Sequence, residues 1–144
     1  MMADILHQVG IAATPEQVYE AITEAEGLQS WWSQHSEIEP VEGSPASVSF
    51  YNRAVTFELR VQELGPNRVV WAVEGGPPDW ANTTITWSLV ADDGQTTVDF
   101  AHRGFSSTGG NFASVNYNWG WYLTSLKFYL EQGKGMPHTD ADLM

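Results

Sequence analysis

Few residues of this chain are of a type that does chemistry, and their spacing limits what that chemistry can be. The 144 residues include four histidines and no cysteine, which excludes thiol nucleophiles, disulfides and Cys-ligated zinc or iron–sulfur centres. His102 continues the alternation of Val98 and Phe100, so its imidazole shares their apolar side. There it can orient a ligand, exchange a proton near neutral pH, or serve as a hydrogen-bonded core group. Arg103, of opposite parity, points outward or to a rim, where a surface ion pair is the ordinary outcome. His35, Glu37 and Glu39 share one side of an extended segment. That spacing can hold zinc through nitrogen and oxygen, and a solvated acidic edge produces the same pattern. Ser106 and Ser107 stand outside any Gly-x-Ser-x-Gly arrangement, so no serine triad is expected. Gly109-Gly110-Asn111 precedes a helical pattern and reads as a hinge or cap before it reads as an anion site.

Six Lys and Arg against 18 Asp and Glu give a net charge of −12. This repels phosphate backbones and anionic membranes, so nucleic acid is not a partner. Eight of the acids fall in the first 42 residues with no Lys or Arg among them, a solvated face that can also steer a basic partner. The apolar runs are too short for a membrane span, and the first 20 residues lack the pattern of a signal peptide. A cytoplasmic protein of one domain is expected.

The elements that must position these residues follow from periodicity. Ile5, His7, Val9 and Ile11 alternate as a first strand. Thr14-Pro15-Glu16-Gln17 then offers an N-cap, a proline at the first helical position and a capping box. Val18, Ala21, Ile22 and Ala25 continue at helical spacing to Gly27 as a C′ residue, and a short second helix carries Leu28, Trp31 and Trp32. An edge strand is predicted around Glu37 to Val41. Val48/Phe50, Val55/Phe57/Leu59/Val61, Val69/Trp71/Val73, Ile85/Trp87/Leu89 and Val98/Phe100 then alternate between short turn signals such as Gly65-Pro66-Asn67 and Asp92-Asp93-Gly94, the mark of an antiparallel meander. Phe112, Val115, Trp119, Leu123, Leu126 and Leu130 recur at steps of three and four, predicting one helix of about 20 residues, ~30 Å long. Gly120 inside it predicts a close approach or a kink. The single domain is expected over residues 1–132, with 133–144 a flexible tail.

The segment Thr14-Pro15-Glu16-Gln17-Val18-Tyr19-Glu20-Ala21-Ile22 resembles the first helix of the START-like (SRPBCC) superfamily, and Gly27-Leu28-Gln29-Ser30-Trp31-Trp32 resembles its second. Thr97 to Phe105 is similar to its last strand, and Trp119-x3-Leu123-x2-Leu126-x2-Tyr129-Leu130-Glu131 to its final helix. The tryptophan pair points to the branch named after the activator of a heat-shock-protein ATPase. The resemblance spans about residues 4 to 132 and implies an α+β helix-grip fold: a curved antiparallel sheet of six or seven strands around a long C-terminal helix, with two short helices after the first strand.

Strand parity places Phe50, Phe57, Trp71, Trp87, Phe100 and His102 opposite Trp119, Leu123 and Leu126, near Trp32. The resemblance implies that such an interior holds a small apolar or aromatic molecule, these ten residues forming the ligand site and His102 or Asn116 orienting the ligand. It also implies two alternatives. One is a co-chaperone-like module that stimulates a chaperone ATPase. The other is a cyclase, dehydratase or hydrolase using the same cavity, for which Tyr122 and Tyr129 are the only further inward candidates. No cofactor or metal is expected, and the chain is read as a monomer or homodimer.

Overall fold

A computed structural model describes residues 2–139. The capping box forms as its sequence dictates: Gln17 N donates to Thr14 Oγ1 at 3.2 Å, and Thr14 N donates to Gln17 Oε1 at 2.9 Å. Strand β1 (Ala3–Ile11) thus hands over at once to helix α1 (Pro15–Thr23), followed by α2 (Ala25–Trp31). Gly27 is not the C′ residue of α1 as expected but lies inside α2. Its role is steric, because a Cβ there would stand 2.4 Å from the Ala21 carbonyl oxygen, and no side chain fits so close to backbone.

Six strands follow: β2 (His35–Glu37), β3 (Pro45–Phe50), β4 (Val55–Gly65), β5 (Arg68–Gly75), β6 (Thr84–Asp92) and β7 (Gln95–Phe105). The edge strand falls earlier than Glu37 to Val41 because the segment after Glu37 turns away. A 3-10 turn, Pro78–Trp80, interrupts the β5–β6 connection. All pairings are antiparallel, in the order β1-β7-β6-β5-β4-β3-β2. Helix α3 (Phe112–Gln132) is 21 residues long and ends on Gly133 in the left-handed conformation, φ 81°. The protein is therefore an α+β helix-grip fold.

The gripped interior is packed with aromatic rings. Trp32 lies between Trp31 and Trp71 with planes within 6° and 7° of parallel, and Trp87 meets Trp31 and Trp71 edge-on. Offset and edge-to-face pairs of this kind add about 0.5–1.5 kcal/mol each beyond burial. Leu123 and Leu126 close the layer from α3. Gly120 makes no tight approach, since a Cβ there would lie an ordinary 3.8 Å from the His7 ring.

The tail reading meets a difference in residues 133–139. Met136 N donates to Ser125 Oγ, His138 N to the Trp32 carbonyl at 2.9 Å, and Gln34 N to the His138 carbonyl at 3.0 Å. His138 is buried. This strap crosses so close to α2 that a Cβ on Gly135 would stand 2.4 Å from the Ser30 carbonyl oxygen. The rest of the expected tail, 140–144, lies outside the described residues.

Candidate functional site

One end of the grip is not filled. There the β3–β4 turn, the loop with the 3-10 turn, the first half of α3 and the strap surround a cleft of about 190 Å³. Its walls are the rings of Trp32, Phe50, Phe57, Trp80, Trp119 and Tyr122. Asn111, just before α3, and Ser114 and Asn118 on it, each about one turn from the next, form a polar stripe opposite them, and His138 closes the side next to the strap. Among the described residues that line the cleft there is no Lys, Arg, Asp or Glu.

Local structure explains each wall. Tyr51, Asn52 and Arg53 all adopt left-handed backbone, φ 54°, 54° and 65°, which costs side-chain-bearing residues roughly 1–2 kcal/mol each. The turn so formed lets Tyr51 N donate to His138 Nε2 at 2.9 Å and sets the His138 ring 5.3 Å from Phe50. On the far side, Trp80 leans on Phe57 with centroids 3.9 Å apart. Asp79 beside it accepts from Asn111 N at 3.2 Å, so a carboxylate caps the start of α3. Asn111 stands at the N-cap position without a side-chain capping bond, and the carboxylate of Asp79 lies where Gly109-Gly110-Asn111 offered an anion site.

His102 sits behind this wall. An indole N–H can only donate, so Trp119 Nε1–H donates to His102 Nδ1, at 3.0 Å. The ring proton is then on Nε2, which donates to Thr83 Oγ1 at 2.8 Å, and Thr83 in turn donates to the Trp80 carbonyl. Burial pushes the His102 pKa down to about 3, so the imidazole is neutral at physiological pH. The chain of bonds ties Trp119 to Trp80, making His102 a brace for two walls of the cleft.

The ten residues expected at the site therefore separate. Trp32, Phe50, Phe57 and Trp119 line the cleft, whereas Trp71, Trp87, Phe100, Leu123 and Leu126 pack in the core and His102 lies one layer back. Asn116 is on the exposed side of α3. Trp80, Asn118 and His138 were not expected. The only signal for Trp80 was a large ring in a Gly- and Pro-rich loop, and nothing in the tail's composition marked His138. Arg103 pairs with Asp4 at 3.1 Å on the surface. Among the described residues no cluster of three His, Cys, Asp or Glu can hold a metal, the His35, Glu37, Glu39 set included, and no helix is long and apolar enough to cross a membrane.

A curved sheet gripping a long helix, open at one end onto aromatic rings, defines a START-like helix-grip protein. The chain belongs to the Activator of Hsp90 ATPase homolog 1-like protein family, whose profile matches residues 12–131. It is similar to the solution structure of the Aha1 dimer from Colwellia psychrerythraea, with 35% identity, a TM-score of 0.84, and coverage of 92% of this chain and 99% of that one. Protein SSP2350 from Staphylococcus saprophyticus shares the fold at 17% identity and a TM-score of 0.79, over 95% and 98% of the two chains. DynU16, from the dynemicin biosynthetic locus, does so at 23% identity and a TM-score of 0.75; 92% of this chain spans 48% of that one. No curated protein matches the sequence.

Proposed function

We propose that the protein binds a small, uncharged aromatic molecule in the cleft. The observation that carries this reading is the pairing of six aromatic rings with a polar stripe and no charged side chain among the described lining residues. Rings supply most of the affinity in such sites and a few polar groups fix orientation. At about 190 Å³ the cleft is a little larger than the engineered cavity of about 150 Å³ that takes benzene and smaller than the ~300–1,000 Å³ of drug-sized pockets. One or two fused rings with a hydrogen-bonding edge fit that volume. The net charge of −12 further disfavours carboxylate ligands.

Native mass spectrometry of freshly purified protein, beside its denatured mass, tests the reading, followed by calorimetric titration with a panel of neutral one- and two-ring aromatics. An adduct lost on denaturation, or uptake abolished by Ser114→Trp in a folded protein, supports it. No adduct and no uptake at millimolar ligand refutes it. Asn118→Leu is expected to weaken binding about 2- to 10-fold, the worth of one hydrogen bond.

The comparisons favour a second reading, an interaction module that works as a homodimer. It rests on the family's description and on the dimeric relative from Colwellia psychrerythraea. Acceleration of ATP hydrolysis by a purified Hsp90-type chaperone tests the module, and no acceleration at saturating protein removes it. Sedimentation analysis tests the dimer.

A further inference from the structure

Helix α3 has two apolar faces, and the fold covers only one. Val115, Trp119, Leu123 and Leu126 are buried on the inner side. Diametrically opposite, Tyr117 and Trp121 are 73% and 48% exposed, Thr124 is exposed and Phe128 is partly exposed. Their spacing of four, three and four is that of a seam between two helices.

The charge distribution sharpens the contrast. The helix carries only Lys127 and Glu131 as charged residues, and both are turned to the end of β1, where Lys127 donates to the Gly10 carbonyl and Glu131 accepts from Ala12 N. An uncharged aromatic seam thus lies on a molecule of net charge −12. The other exposed large apolar residues among those described are scattered: Leu6 and Val90 are on different strands, and Met2, Val41 and Tyr51 lie outside the strands and helices. Two copies of so acidic a chain repel at most approaches, and this seam is where they can meet without opposing like charges.

We infer that α3 packs antiparallel against α3 of a second copy across a two-fold axis, with Tyr117, Trp121, Thr124 and Phe128 at the centre. The inference rests on the homodimer reading above and assigns its surface. A two-fold contact uses the same patch twice, and in antiparallel register Tyr117 meets Phe128 of the second copy while Trp121 meets its Thr124. A helix of this length presents a face of roughly 30 by 10 Å, well short of the ~800 Å² per partner of a standard interface. The contact therefore extends to the adjoining row, Ser114 and Asn118, which is also the cleft's polar stripe. The second copy abuts the cleft's open rim.

Sedimentation velocity over a concentration series tests this with the full chain. Wild type is expected to dimerise, and Tyr117→Lys with Trp121→Lys to raise the dimer dissociation constant at least about 100-fold, as removal of two aromatic anchors does. Thr124→Glu, a change at a small exposed position, sets a charge against the seam of the second copy and is expected to do the same in a protein with unchanged circular dichroism. Leu6→Lys, on the sheet's outer side, is expected to leave association intact. A wild type that stays monomeric throughout overturns the dimer and the seam together. A wild-type dimer whose dissociation constant is unmoved by the seam variants overturns the seam alone.

Discussion

His102 shows how one buried polar side chain sets both geometry and pH response. It bonds at both ring nitrogens, and its pKa is depressed to about 3 from an unfolded value near 6.5. Between those values the unfolded chain binds a proton that the folded chain does not, so stability falls as pH drops below ~6.5, by up to about 1.4 kcal/mol per unit. Denaturant titration from pH 7 to pH 5 is expected to reveal a loss of about 2 kcal/mol from this residue. His102→Gln is expected to be less stable at pH 7 and to lack that share of the pH slope. Glu131, held below the usual carboxylate range by the Lys127 side chain and then by Ala12 N–H, loses its contribution only at lower pH, below its unfolded value near 4.5. A second contrast lies between two core tryptophans. Trp31 Nε1 donates to the Ala21 carbonyl at 2.8 Å, whereas Trp71 Nε1 is buried with no partner among the described residues. Trp31→Phe is expected to cost at least about 1 kcal/mol more than Trp71→Phe in equilibrium unfolding, because only the first removes a made hydrogen bond. The inward direction of His102 was legible from parity. Its partners were not, since Thr83 and Trp119 come from elements whose meeting depends on the packed fold.

At the scale of elements, local rules carried far. Alternation located every strand but β2, Thr14 and Gln17 the start of α1, and steps of three and four the whole of α3. Glycines misled because sequence does not reveal why one is there. Gly27 reads as a stop signal yet answers to the Ala21 backbone, and Gly120 reads as a close approach or a kink yet has room for a Cβ. Two substitutions separate these cases by thermal unfolding. Gly120→Ala is expected to stabilise by up to about 1 kcal/mol, the helix-propensity difference, because its Cβ finds room. Gly27→Ala is expected to destabilise by at least about 1–3 kcal/mol, the range for an overpacked site, despite the same gain in propensity. The β3–β4 turn was legible only as an interruption at Asn52. Its three successive left-handed residues accompany the bond from Tyr51 N to His138, a long-range contact with no local trace.

For the molecule as a whole, sheet order and the grip on α3 were readable because a meander pairs neighbours and one long apolar helix has one place to go. Whether the interior was hollow or full was not readable, because side-chain volumes meet only in the assembled core. The structure divides the aromatic set, filling one end with stacked tryptophans and leaving the other open. The strap is part of that division. His138→Ala removes the acceptor for Tyr51 N and one side of the cleft, and is expected to lower both unfolding temperature and affinity for an aromatic ligand by calorimetry. A change confined to stability would leave the strap with a purely structural part. Helix α3 itself turns one face to the core, lines the cleft with a second and exposes a third, the proposed seam. Where occupancy of one such face changes binding at another, the linkage is reciprocal. Any molecule in the cleft that tightens association along the seam must itself bind the associated form more tightly, by the same factor. The affinity of the cleft then becomes a function of how much of the protein is present.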